Sequence, residues 1–188
     1  AHQRGACDPL ARLRGGEVSF SEALLGTATA SGVALTPRMV EACRAHYDLL
    51  VTWNRTHNLT RIVSEDDAAR LHYLDCLIPL LAWEPPRSFV DIGSGAGFPG
   101  LLAALAWPNA EAILVEPAKK RASFLTLAAS AMGMSTASTR VMSPEDRPVA
   151  ERVLSRATFP PGQRRELSGY VSEHGQIAVW GHRHDLPT

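Results

Sequence analysis

Long apolar runs are missing from this sequence, as are paired cysteines and any excess of one charge. No stretch approaches the roughly 18 apolar residues of a membrane-spanning helix, so no membrane partner is expected. The arginine-dotted start from Ala1 to Gly16 lacks the apolar centre of a secretory signal, and residues 1–17 are read as disordered or tag-adjacent. Three cysteines, Cys7, Cys43 and Cys76, stand singly, which makes neither a disulfide framework nor the short paired spacing of a zinc site. A reducing, cytoplasmic setting fits, and no metal is expected. His182 and His184 have no third ligand nearby and read as a loose tail. Nineteen Lys and Arg against nineteen Asp and Glu leave a formal charge of zero, so bulk charge does not announce a nucleic-acid partner. Contact with RNA would need a local basic patch.

What is present points to one core with an appendage. The chain has 188 residues, 45% of them hydrophobic, enough for a buried core but short for two full domains. Residues 18–84 read as an amino-terminal helical region. Thr36-Pro37 is a cap and first-turn pair, after which Val40, Cys43, Tyr47, Leu50 and Val51 recur at helical spacing. Ser64 with Asp67 three residues on opens a second helix through Ala68, Leu71, Leu74 and Ile78. After Pro85-Pro86 the pattern alternates. Strands are expected at 88–92, 111–116, 137–142, 151–155 and 176–180, with helices near 99–107, 118–132 and 163–173. Alternation of this kind over residues 85–188 predicts a doubly wound α/β sheet with helices on both faces.

The chemistry concentrates in Asp91-Ile92-Gly93-Ser94-Gly95-Ala96-Gly97, which matches the acid-x-Gly-x-Gly-x-Gly loop of class I methyltransferases. A tight turn leaving a strand and approaching a ligand closely is obstructed by a Cβ, which glycine lacks. Asp91, Gly93, Ser94, Gly95, Ala96, Gly97 and Phe98 are therefore candidate cofactor contacts. Glu116 closes the next strand, where a carboxylate can accept both ribose hydroxyls of an adenosine. The same letters carry a competitor, since Gly95-Ala96-Gly97-Phe98-Pro99-Gly100 also satisfies the dinucleotide fingerprint. S-adenosylmethionine and a nicotinamide dinucleotide both remain open on the motif, although little chain is left to orient a hydride acceptor. The fourth strand, Val153-Leu154-Ser155-Arg156-Ala157, lacks the Asn/Asp-Pro-Pro-aromatic turn of exocyclic-amine methylation, and all three cysteines precede the loop, against carbon-5 pyrimidine chemistry.

Four stretches carry a family resemblance over about residues 36–160. Trp53-Asn54-Arg55-Thr56-His57-Asn58-Leu59-Thr60, His72-Tyr73-Leu74-Asp75-Cys76-Leu77, the loop Val90–Gly100, and Lys120-Arg121 followed by Phe124-Leu125 resemble, in order, the signatures of the RsmG (GidB) family. Ser155-Arg156-Ala157 resembles that family's Ser-Arg-Ala at the end of strand four. The resemblance implies a Rossmann-like class I methyltransferase that moves a methyl group from S-adenosylmethionine, leaving S-adenosylhomocysteine, to guanine N7 of 16S ribosomal RNA or the small ribosomal subunit. It adds Pro144 and Glu145 as cofactor contacts from the turn after strand three, where Ser143-Pro144-Glu145-Asp146 lacks the family's arginine. The family's sheet has seven strands and about five are read here, so the core is expected to lack its last strands.

Arg156, at the end of strand four, is the candidate for positioning substrate, with a structural ion pair as its alternative. Lys119, Lys120 and Arg121 open the helix after Glu116 and could form a basic rim for RNA, as could Arg164 and Arg165, although a solvated helix face accounts for them equally. Trp53 and Tyr73 fit packing between helices and sheet better than base stacking. Two other functions stay open: an NAD(P)-dependent oxidoreductase, and a non-catalytic RNA-binding assembly factor on the same fold.

Overall fold

The computed structural model describes residues 18–135, 139–156 and 161–181, with the backbone alone for 161–164. The expectations for residues 1–17, for Cys7, for the side chain of Arg164 and for His182 and His184 lie outside the described residues. Helix α1 spans Phe20–Ala30 and α2 Pro37–His57. A continuous helical stretch follows, made of α3 (Glu65–Ala68), a π-helical turn (Ala69–Leu74) and α4 (Asp75–Ala82). The alternating part comprises β1 (Ser88–Ile92), α5 (Gly100–Ala106), β2 (Glu111–Val115), α6 (Lys119–Ala131), β3 (Thr139–Met142), β4 (Ala150–Arg156) and β5 (Val171–Trp180). Short 3-10 segments cover Pro144–Asp146 and Pro161–Tyr170.

Local chemistry explains the helix boundaries. The Met39 N–H donates to the Thr36 hydroxyl at 3.2 Å, with Pro37 at the first turn, where its missing N–H costs nothing. Ser64 caps α3 by accepting from the Asp67 N–H at 3.3 Å. The buried face of α2 carries Met39, Ala42, Cys43, His46, Tyr47 and Leu50, so it is turned slightly from the expected stripe and takes in a histidine. At the π-helical turn the Asp75 N–H reaches five residues back to the Arg70 carbonyl. Pro79 sits inside α4 and has no N–H to offer the Asp75 carbonyl, which accepts instead from the Trp180 indole at 3.1 Å. A missing donor in one helix thus ties β5 to it.

All strands run parallel in the order β3-β2-β1-β4-β5. The chain steps outward from β1 to β3 and then returns to the far side of β1, so the strand order reverses between β1 and β4, the place where α/β sheets open a crevice. One sheet face, with Phe89, Ala112, Leu114 and Leu154, shares a single core with residues of α1, α2, α4, α5 and α6. The amino-terminal helices are therefore packed into the body of the sheet. On the opposite face Val90, Ile92, Ile113, Val115 and Val153 cluster with Leu167 from the longer 3-10 segment.

Strand β1 occupies the expected residues, and α5 and α6 differ from expectation by one residue at each end. The last helix differs more. A helix was expected over 163–173 and a strand over 176–180, whereas the 3-10 segment ends at Tyr170 and β5 begins at Val171. Two glycines, Gly162 and Gly169, weaken an α-helix there, and β5 takes in Gly175, whose neighbour Gln176 pairs with Arg152 after a register irregularity.

Trp107 follows α5, is 1% exposed, meets Phe89 edge-on at 5.5 Å and donates its indole N–H to the Leu80 carbonyl at 3.0 Å. Trp107→Ala is expected to cost about 3–5 kcal/mol through cavity formation, read as a lowered urea midpoint. A loss under about 1 kcal/mol would mean that α4, α5 and β1 do not share this packing.

Candidate active site

A cavity of about 520 Å³ lies at the carboxyl ends of the strands, within the usual range for small-molecule sites. Its floor is the loop after β1, represented by Gly93, Ser94, Gly95, Ala96 and Phe98. Glu116 and Pro117 after β2, Arg121 of α6 and Arg156 of β4 form further walls, and Leu59 and Thr60 from the loop after α2 and His72 from the π-helical turn close it. The last three come from the region with the Trp-Asn and His-x-x-Asp stretches.

The loop's shape is set by its own hydrogen bonds. The Gly93 and Ser94 N–H groups donate to the Val115 carbonyl at 2.9 and 3.1 Å, and the Gly97 N–H to the Ser94 carbonyl at 2.7 Å. Gly97 has φ +90°, and a Cβ there would lie 2.5 Å from a Leu101 methyl, so neither backbone nor space admits a side chain. Glu116, 5% exposed, accepts the Gly95 N–H at one oxygen and the Ala118 N–H at the other, both at 2.9 Å. Each carboxylate oxygen has the capacity to accept a second hydrogen bond, so the pair still suits two adjacent hydroxyls. Asp91 is fully buried and accepts the Gly100 N–H at 3.0 Å, and among the described residues its other carboxyl oxygen has no hydrogen-bond partner.

Burial dominates the electrostatics. The Asp91 carboxyl is pushed up to about 7 by its removal from water, with nearby Glu116 adding to the shift. His46 and His72 are both held down at about 4 by burial, His46 further by His72, and His72 further by Arg156. His72 stacks on Phe98 at 4.7 Å and hydrogen-bonds the Thr60 hydroxyl through Nε2 at 2.8 Å. Arg156 donates to the Leu71 carbonyl at 2.8 Å and approaches Asp75 at 3.4 Å, with its side chain 24% exposed. The ion pair weighed as its structural alternative is thus present, and the guanidinium also faces the cavity.

Of the expected cofactor contacts, Gly93, Ser94, Gly95, Ala96, Phe98 and Glu116 meet at the cavity. Gly97 shapes the loop behind it, and Asp91 lies beneath, bonded to the start of α5. Pro144 and Glu145 do not line the cavity. The Glu116 N–H donates to the Met142 carbonyl, which brings their turn alongside, but Ser143 and Asp146 cap each other there and leave Glu145 exposed. Arg121 reaches the cavity, whereas Lys119 and Lys120 are exposed on the first turn of α6. Trp53 packs against Phe124 at 5.7 Å, and Tyr73 is buried, so both serve packing. The sequence reading missed Thr60, His72 and His46 as site residues; the first two lay within the quoted signatures, and His46 carried no local signal.

A parallel sheet in this order, with a glycine loop and an acid at adjacent strand ends, defines a Rossmann-like nucleoside-binding fold, the architecture that class I methyltransferases share with dinucleotide enzymes. Coclaurine N-methyltransferase, solved with N-methylheliamine and S-adenosylhomocysteine, shares that fold with a TM-score of 0.52 at 14% identity, over 85% of this chain and 57% of its own. Mitomycin 7-O-methyltransferase does so with a TM-score of 0.51 at 11% identity, over 92% and 57%. Residues 39–179 match GidB, rRNA small subunit methyltransferase G, and the chain belongs to that family. Proteins named ribosomal RNA small subunit methyltransferase G are 42% identical over 101 residues in Wolinella succinogenes and 43% over 103 in Roseiflexus. These alignments take in 54% of this chain and 52% and 44% of the relatives, so the chain spans about half the length of the curated relatives it matches.

Stability should register the buried groups. Both histidines have depressed pKa values, so the unfolded chain binds their protons more readily between about pH 4 and 6.5, and stability rises with pH there. Asp91 opposes this, because from its ordinary 3.8 to about 7 the folded chain retains a proton that the unfolded chain has lost. Two groups outweigh one. Urea midpoints are expected to climb from about pH 4.5 to 6.5, and Asp91→Asn to steepen the climb. A steepness unchanged in Asp91→Asn would contradict the burial of a protonated carboxyl.

Proposed function

We propose that this chain binds S-adenosylmethionine in the 520 Å³ cavity and directs methyl transfer to guanine N7 in 16S ribosomal RNA. The observation that carries the cofactor choice is how the loop's N–H groups are engaged. A dinucleotide needs the loop and helix N-terminus to present N–H groups to its pyrophosphate. Here Gly93, Ser94, Gly95 and Gly97 donate within the protein, and the Gly100 N–H, at the start of α5, is taken by the Asp91 carboxyl. S-adenosylmethionine has no phosphate, and its ribose hydroxyls match the two-oxygen face of Glu116. The NAD(P) reading therefore loses its main support.

When bound, S-adenosylmethionine supplies an electrophilic methyl group on a sulfonium. Guanine N7 keeps a lone pair in the neutral base, so transfer calls for alignment and exclusion of water, and no general base is required. Phe98 and His72, stacked on each other, give the cavity a wall of aromatic rings. Arg156, braced by Leu71 and Asp75, is suited to hold O6 of guanine or a phosphate. Arg121 at the cavity, with Lys119 and Lys120 on the same turn, supports contact with an RNA backbone. Membership of the rRNA small subunit methyltransferase G family supports the substrate class.

Incubation with methyl-labelled S-adenosylmethionine and small-subunit RNA, naked or as particles, followed by nucleoside analysis, is expected to yield labelled N7-methylguanosine. Cofactor binding without label would favour the non-catalytic assembly factor. Gly95 has φ +53°, so Gly95→Val is expected to distort the loop and abolish cofactor binding while the fold persists by circular dichroism. Arg156→Ala should leave cofactor affinity within about threefold and lower methyl transfer by about tenfold or more, the effect of losing about 1.4 kcal/mol. Equal transfer would remove Arg156 from the substrate site.

A further inference from the structure

His46 lies in the middle of α2, 50 residues before the loop in sequence, and is 0% exposed. Its Nε2 is 3.0 Å from the Ala96 carbonyl and its Nδ1 is 2.6 Å from the Tyr73 hydroxyl. A carbonyl only accepts, so Nε2 carries the proton and the bare Nδ1 accepts from Tyr73. Burial holds the ring neutral, with its pKa down at about 4, which keeps this one-donor, one-acceptor state at working pH. The ring also meets Phe98 edge-on at 5.2 Å, and Tyr73 meets Phe98 edge-on at 5.1 Å.

The contact falls on one peptide of the loop. The Ala96 carbonyl and the Gly97 N–H belong to the same planar unit and point in opposite directions. His46 holds the first, and the Ser94 carbonyl holds the second at 2.7 Å. The unit is therefore gripped from both sides immediately before Gly97, whose φ is +90°. Glycine permits that backbone angle without choosing it, and the hydrogen bond from His46 makes the choice. Ser94, Gly95, Ala96 and Phe98 all face the cavity, so the orientation of this unit decides the shape of the floor.

We propose that His46 is a positioning residue for the cofactor loop: its Nε2–H, oriented by the Tyr73 hydroxyl, fixes the Ala96–Gly97 peptide in the conformation that receives S-adenosylmethionine. The inference rests on reading the cavity as the cofactor site. It assigns to a helix outside the sheet a direct share in cofactor affinity, through a residue that never touches the cofactor.

The test compares His46→Gln, whose side-chain amide nitrogen reaches the place of Nε2, with His46→Asn, whose shorter side chain does not, and with His46→Ala. Binding of S-adenosylhomocysteine is measured by calorimetry at a temperature where circular dichroism shows every variant folded. His46→Gln is expected to bind within about threefold of the unsubstituted protein, and His46→Asn and His46→Ala about tenfold more weakly, as loss of one buried hydrogen bond implies. Amide exchange at Gly97 without ligand should accelerate by about tenfold in His46→Asn and stay near the original rate in His46→Gln. Equal affinity of the Gln and Asn variants, or affinities that merely follow their melting temperatures, would overturn the role of His46. Failure of the unsubstituted protein to bind S-adenosylhomocysteine would instead overturn the reading of the cavity, and the exchange rates would still report whether His46 grips the loop.

Discussion

A carboxyl with no exposure, at the end of the central strand, holds the first N–H of the helix that follows, and the arrangement around the cavity depends on that bond. Asp91 and Gly100 are nine residues apart, so the chain must leave β1, turn and enter α5 within the loop between them. A Cβ on Gly100 would collide with the Asp91 carboxyl and with a Leu114 methyl, which makes the approach of helix to strand as close as a backbone allows. The carboxyl complements the positive end of the helix and simultaneously occupies it. What remains for a ligand is the outer surface of the loop, shaped by glycine backbone and edged by Glu116.

That surface forms only part of the cavity, and the amino-terminal helices complete it. Thr60 and His72 face it, and His72 lies flat against Phe98 as the loop ends. The π-helical turn that carries His72 also presents the Leu71 carbonyl to Arg156, so one irregular turn contacts the loop after β1 and the end of β4. Cavity wall and candidate substrate residue are thereby referred to the same short segment. Rigid elements meet there: Tyr73 is buried, and Phe20 stacks on Tyr47 at 4.6 Å behind it.

Much of this was legible in the sequence wherever the cause is local. Short apolar runs bounded by turn residues marked β1 and β2, Thr36-Pro37 and Ser64 marked helix starts, and the alternating glycines marked the loop. Glu116 was legible because its place at a strand end follows from the same alternation. The contacts that long-range packing decides were not legible. His46 belongs to a helix whose apolar spacing gave it no special standing, and its partner Ala96 is 50 residues away. The π-helical turn has no composition signal, and the indole of Trp180 finds the Asp75 carbonyl because of a proline four residues beyond that carbonyl. Pro144 and Glu145 came from resemblance alone, and the mutual capping of Ser143 and Asp146 turns that segment in on itself.

The shared core bears on modularity. Phe20 and Leu24 of α1, Leu50 of α2, Leu77 of α4 and Leu114 and Leu154 of the sheet belong to one apolar cluster. A cut in the Pro85-Pro86 connection would leave each piece with a large uncovered apolar face, and the glycine loop without the imidazole that grips it. The nucleotide-type half of this protein is consequently not a portable cartridge: grafted elsewhere without its helical prelude, it would keep the motif and lose the shape the motif is meant to hold.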